Sequence, residues 1–178
     1  MGSIARELDR AGIPYMIIGG QAVLLYGEPR LTRDIDITLG IGTDEFPRLL
    51  AIAANLGLRP LPEDIKSFVE KTMVLPLLDD ATGVRVDLIF SFSPYEHSAI
   101  GRVVRVELDG YPISFASPED VIIHKIIAQR PRDLEDVRAI FLKNPGIDLD
   151  YIRKWLSQFE AALPEGGFVE VFEKLVGK

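Results

Sequence analysis

The sequence predicts an α+β fold, a mixed sheet of about five strands flanked by helices and followed by a helical C-terminal part. Three observations predict it. Short apolar runs alternate with helix-forming stretches through the first half of the chain. Two such runs close around Asp109-Gly110, the strongest short-range hairpin signal present. After Ala116 the character changes to helix throughout.

The elements follow in order. Ile4 to Ala11 reads as a short helix stopped by Gly12, and Pro14 to Ile18 as an apolar strand. Gly19-Gly20 marks a tight turn into a helix over Gln21 to Tyr26, which Gly27 and Pro29 end. Asp34 to Leu39 is a second strand. Thr43 caps a helix to about Leu56, with Phe46, Leu49, Leu50 and Ala53 on one face, closed by Gly57. Lys71 to Leu78 and Val84 to Phe92 read as strands around an Asp79 to Gly83 loop, and Val103 to Leu108 with Tyr111 to Phe115 as a hairpin. Ser117-Pro118-Glu119-Asp120 is a helix start with an N-cap serine, proline at the first helical position and an acid in the first turn. Helices are expected at about 118–129, 132–143, 148–162 and 165–176. In the third, Leu149, Ile152, Trp155, Leu156, Phe159 and Leu163 share a face. In the last, Phe168, Val171, Phe172 and Leu175 do, and both sets read as core.

Composition narrows the chemistry. The 178 residues suit one domain, or a domain with an appendage, and the chain contains no cysteine, which excludes disulfide scaffolds, thiol catalysis and cysteine zinc sites. Two histidines, His97 and His124, are too few for a typical histidine metal site, and His124 reads as a packing residue. No apolar run reaches the roughly 18 residues of a membrane span and no signal peptide opens the chain, so a cytoplasmic protein is expected. A net charge of −7 argues against a broad basic face for duplex nucleic acid. Arg102, Arg105, Lys125, Arg130 and Arg132 are candidates for a local basic patch.

Asp34-Ile35-Asp36 raises the functional question. Aspartate is poor in strands, and burying unpaired charge costs several kcal/mol. Side chains alternate along a strand, so the two carboxylates share a face about 6–7 Å apart. Asp87, inside the apolar run Val84 to Phe90, is a third acid in an equally odd position. Three hard oxygen donors without histidine or cysteine suit Mg²⁺ or Mn²⁺, and a pair of such ions would clamp the attacking and leaving oxygens of a phosphoryl or nucleotidyl transfer. The Gly19-Gly20 turn opens a helix, where free backbone N–H groups and the helix dipole favour phosphate.

Ile18-Gly19-Gly20, a thirteen-residue spacer and then Asp34-Ile35-Asp36-Ile37 together resemble the signature of the nucleotidyltransferase superfamily, which has the DNA polymerase beta-like fold. The fuller stretch GGQAVLLYGEPRLTRDIDI is similar to the AbiEii-like branch. So is Ser117 to Lys125 followed by Arg132-Asp133-Leu134-Glu135-Asp136, a helical lysine ahead of an RD-x-x-D helix. The resemblance spans about residues 13–142. It implies that Asp34 and Asp36 bind cations, and that Asp87 is the third ligand and candidate general base. It also implies that Gly19, Gly20 and Gln21 hold the triphosphate. Lys125 and Asp133 would join the nucleotide site, and Arg30 and Arg33 would neutralise the acids or touch phosphate. Position 20 is Gly where many members carry Ser.

The expectation is therefore a Mg²⁺- or Mn²⁺-dependent enzyme that transfers a nucleoside monophosphate from an NTP to a hydroxyl of an RNA 3′ end, a protein or a small molecule. Residues 1–116 would form the catalytic core, and 117–178 a helical subdomain packed on it. The branch includes toxins of bacterial toxin–antitoxin systems, so an antitoxin protein is a candidate partner. Two other readings use the same residues: a catalytically weak regulatory module that binds nucleotide or protein, and a phosphohydrolase with water as acceptor.

Overall fold

The computed structural model describes residues 1–29 and 31–177. Arg30, expected near the acids, lies outside the described residues. The residues cluster into two compact units: Met1–Gln21 with Leu31–Phe115, and Ala22–Arg30 with Ala116–Lys178.

The first unit carries a seven-stranded mixed sheet. Its strands are β1 (Tyr15–Ile18), β2 (Asp34–Leu39), β3 (Leu58–Pro60), β4 (Val74–Asp79), β5 (Val84–Phe90), β6 (Val104–Leu108) and β7 (Tyr111–Phe115). They lie in the order β3-β4-β5-β2-β1-β7-β6. β2 runs antiparallel to β1 and parallel to β5, and β1 is parallel to β7. All four residues of β1 are buried, as a strand in mid-sheet demands. On β2, Ile35, Ile37 and Leu39 face one side and are buried, while Asp34, Asp36 and Thr38 face the other.

Helices α1 (Gly2–Arg10), α3 (Phe46–Asn55), α4 (Ile65–Thr72) and α5 (Pro94–Ile100) complete this unit. α1 buries Ile4, Ala5 and Leu8, one face of its amphipathic turn pattern, and contacts β7. α3 contacts β3, and α4 contacts β4.

Three local expectations are corrected. Thr43 does not cap an α-helix. Thr43–Glu45 forms a 3-10 turn, and α3 begins at Phe46 with Pro47 in its first turn, where proline's missing N–H costs nothing. Lys71 does not open a strand. Asp64 accepts a hydrogen bond from Ser67 N and starts α4, which runs through Lys71 until Met73 adopts a left-handed conformation at φ 59°. Among the described residues the sheet has seven strands where about five were expected. The three-residue β3 is too short to show an alternating pattern. α5 is marked by a capping box, with the Ser93 side chain accepting from Tyr95 N and Glu96 bonded back to Ser93 N.

The second unit is helical. It comprises α6 (Pro118–Ala128), α7 (Pro131–Lys143), α8 (Leu149–Ala162) and α9 (Phe168–Val176), together with the end of α2 (Gly19–Tyr26). Its core holds Val121, Ile122, Ile126, Ile140, Ile152, Leu156 and Phe172, all at most 1% exposed. Trp155 and Phe168 are buried as expected, whereas Leu163 is 56% exposed because the helix has ended at Ala162. A 3-10 turn over Pro164–Gly166 and Gly167 at φ 57° delay the last helix to Phe168. Residues 22–29 join this unit through polar ties. Tyr26 Oη donates to the Ala116 carbonyl at 2.9 Å, Asn144 Nδ2 donates to the Tyr26 carbonyl, and Lys143 Nζ donates to the Gly27 carbonyl.

Candidate functional site

The parallel pairing of β2 with β5 sets Asp34 opposite Arg85 and Asp36 opposite Asp87. Paired residues on adjacent strands point to the same face, so three carboxylates and one guanidinium form a two-by-two patch. Neighbouring strands lie about 4.8 Å apart, close enough for each side chain to feel the others. Asp36 and Asp87 are partly buried and Asp34 is exposed, a gradient set by the position of Asp34 at the strand's first residue.

Arg85 is the residue that sequence reasoning missed. Its Nε donates to Asp87 Oδ1 at 2.9 Å. This hydrogen bond to Asp87, followed by the charge of the same carboxylate, holds the guanidinium above its usual range. Asp34 and Asp36 add to the effect. The signal was available: Arg85 sits two residues before Asp87, hence on the same strand face. Arg33, the basic residue expected here, is exposed.

Gly19 has φ 64°, a conformation that glycine adopts without penalty. A Cβ built on it would lie 2.1 Å from Asp36 Oδ2, so the bare backbone is what admits the Asp36 carboxylate. A Cβ on Gly20 would meet Thr32 Oγ1 at 2.5 Å and Thr32 Cβ at 2.9 Å. The space that glycine leaves at position 20 is filled by Thr32, an intramolecular reason for glycine where a serine side chain would collide. Gln21 Nε2 donates to the Asp34 carbonyl at 3.5 Å, and Thr32 Oγ1 reaches the same carbonyl at 3.4 Å. Both bonds are long and weak. The turn and the acidic strand are thus tied together at Asp34 and Asp36.

Among the described residues, no group of three or more acids or histidines is gathered tightly enough to hold a metal ion as it stands. The donor chemistry nevertheless fits a hard divalent cation. Three carboxylates share a face, two of them directly opposed across parallel strands, and Gly19 leaves the Asp36 oxygen accessible to the turn.

Lys125 and Asp133 lie in the second unit, apart in sequence from the acids. Lys125 Nζ is 2.5 Å from Asp133 Oδ1 and 3.0 Å from Asp136 Oδ2, with all three side chains at most 9% exposed. Arg130 Nε lies 3.5 Å from the other Asp133 oxygen. Lys125 is therefore withdrawn from any surface basic patch, because two buried carboxylates require its charge. Arg102, Arg105, Arg130 and Arg132 are exposed. His124 is half-buried within α6.

Residues 2–165 match the sequence family described as nucleotidyltransferase of unknown function (DUF6036). The chain belongs to that family. No curated protein matches it. Among solved structures, the antibiotic-resistance factor ANT(2'')-Ia is similar at a TM-score of 0.60 and 20% identity, covering 92% of this chain and 90% of that one. The antigenic nucleotidyltransferase-like protein from Paracoccidioides brasiliensis gives 0.55 and 18%, covering 96% and 90%. The lincosamide antibiotic adenylyltransferase LnuA, solved with lincomycin bound, gives 0.55 and 14%, covering 77% and 91%. At these identities the likeness is one of fold, and it agrees with the mixed sheet and flanking helices of this nucleotidyltransferase-family chain. Among the described residues, no helix is long and apolar enough to cross a membrane.

Proposed function

We propose that this chain is a divalent-cation-dependent nucleotidyltransferase that moves a nucleoside monophosphate from an NTP to a hydroxyl acceptor. The observation that carries the reading is the opposed Asp36 and Asp87 on β2 and β5, with Asp34 on the same face and Gly19 against the Asp36 carboxylate. Asp34, Asp36 and Asp87 would hold Mg²⁺ or Mn²⁺, which when bound neutralises phosphate charge and polarises the reacting oxygens.

The chain's own groups account for the remaining steps. The Gly19-Gly20 turn and the N–H groups opening α2 receive the triphosphate, with the Gln21 amide beside them. Asp87 accepts the proton of the attacking hydroxyl. The new oxygen–phosphorus bond forms at the α-phosphate, the bond to the β-phosphate oxygen breaks, and pyrophosphate leaves. An ammonium has three N–H donors. Lys125 donates one to Asp133 and is ion-paired with Asp136 at 3.0 Å, so a phosphate contact would use a remaining N–H, with Asp133 fixing the lysine.

The acceptor class is tested in three arms: RNA, protein and small polyhydroxylated molecules such as aminoglycosides. The toxin role and an antitoxin partner rest on the sequence resemblance to the AbiEii-like branch. Incubation with labelled NTPs and Mg²⁺ in each arm, beside an Asp34→Asn/Asp36→Asn double variant, is the decisive assay. Labelled adduct and pyrophosphate are expected with the unaltered chain alone, and equal labelling by both proteins overturns the proposal.

A second reading is favoured by one contact. The Arg85–Asp87 ion pair engages the candidate base, as it would in a chain that binds nucleotide without turnover. Calorimetry that finds tight NTP binding with no pyrophosphate released in any arm selects that module.

A further inference from the structure

Three carboxylates on one strand face repel one another, and like charges directly opposed across strands destabilise a sheet. Asp36 and Asp87 are such a pair. A cation on the same face relieves that repulsion, and the chain supplies one. Arg85 stands opposite Asp34, two residues along β5 from Asp87, and its Nε donates to Asp87 Oδ1 at 2.9 Å. The guanidinium is planar, permanently charged and suited to carboxylates. Its side chain is 48% exposed against 19% for Asp87, so the arginine can leave toward water while the aspartate stays in the sheet.

We propose that Arg85 is an internal counter-cation that competes with the divalent ion for Asp87, so that cation binding breaks the Arg85–Asp87 pair. The inference rests on the reading of Asp34, Asp36 and Asp87 as cation ligands. Arg85 is then a positioning residue. Without a divalent ion it keeps the three acids from splaying β2 and β5. Once released it keeps a positive charge on the strand opposite Asp34, free to meet an incoming phosphate. Ion entry and arginine release are linked by exchange: a ligand that binds at Asp87 loses as much affinity as the ion pair it must open contributes.

The test measures cation binding with no nucleotide present. Mn²⁺ is titrated by electron paramagnetic resonance into the unaltered protein, Arg85→Gln, Arg85→Lys and Asp36→Asn. The expected result is binding by Arg85→Gln roughly three- to tenfold tighter than by the unaltered chain, the range for loss of a partly exposed ion pair among several acids. Arg85→Lys, which keeps the charge, stays near the unaltered value. Equal or weaker binding by Arg85→Gln overturns the role of Arg85 while leaving the cation site standing. Mn²⁺ binding that is absent, or undiminished in Asp36→Asn, overturns the cation site and this inference with it. A second measurement avoids reliance on a variant that fails to fold. In the unaltered protein, the Arg85 Nε–H resonance is followed by NMR during Mg²⁺ titration. A shift toward the position of a solvent-exposed arginine is expected, and an unmoved resonance at saturating Mg²⁺ overturns the inference.

Discussion

At the scale of single residues, the two glycines that open α2 have separate reasons to be glycine. Gly19 needs its left-handed backbone and its missing Cβ, which would stand 2.1 Å from Asp36 Oδ2. Gly19→Ala is expected to cost about 1–3 kcal/mol in chemical denaturation, because strain at positive φ adds to the collision. It also turns the Asp36 carboxylate, so Mn²⁺ affinity should fall along with stability. Gly20 gives way to Thr32. Gly20→Ala alone is expected to cost about 1–3 kcal/mol by overpacking. In the background of Thr32→Gly the same change should cost much less. A double-mutant cycle by urea denaturation reads the difference, and additive effects would show that the two positions do not share the space. The glycine pair was legible in the sequence as a turn. Its steric partners were not, since Thr32 and Asp36 reach it only through the pairing of β1 with β2.

Among elements, α6 and α7 are joined by charge in an apolar setting. Lys125 on α6 meets Asp133 and Asp136 on α7, all nearly buried. Lys125→Met removes the buried cation that Asp133 and Asp136 share, leaving Asp133 its longer pair with Arg130, and is expected to destabilise the protein by about 3–5 kcal/mol in denaturant titration. The Lys125→Met/Asp133→Asn/Asp136→Asn combination removes the stranded charges and should recover most of that loss. The helix starts at Ser117 and the hairpin at Asp109-Gly110 were readable locally, because caps and turns are set by residues within a few positions. β3 and α4 were not. Both are short, and the strand expected from Lys71 overlapped a helix whose start is fixed by one aspartate cap.

For the molecule as a whole, the acidic patch matters through the ion it is proposed to hold. Asp36→Asn is expected to abolish Mn²⁺ binding. Calorimetric unfolding with and without Mn²⁺ checks this: an ion that binds only the folded chain raises its melting temperature, and Asp36→Asn should lose that rise. Alkaline stability depends on Tyr26. Burial, followed by the charges of Glu119 and Asp120, pushes its hydroxyl from 10.0 up to about 12. An unfolded tyrosine ionises first, so the native state holds more protons between those values, and stability falls as pH rises from 10 toward 12. Tyr26→Phe should flatten that fall in melting temperature. It also loses the hydrogen bond to the Ala116 carbonyl, worth about 0.5–1.5 kcal/mol at neutral pH.

The class of fold, the two apolar strands that carry acids and the hard-oxygen donors those acids offer are all legible along the chain. Each of these is written in residue type and short-range period: alternation along a strand, a cap before a helix, aspartate where an apolar residue belongs. That β2 and β5 lie side by side and parallel, with Asp36 against Asp87 and Arg85 against Asp34, is visible in the folded sheet alone. Register between strands distant in the chain leaves no periodic trace, because it is set by packing of the sheet as a whole. Packing of α6 on α7 likewise decided that Lys125 is buried against both Asp133 and Asp136, and strand pairing decided that Arg85 stands among the three acids.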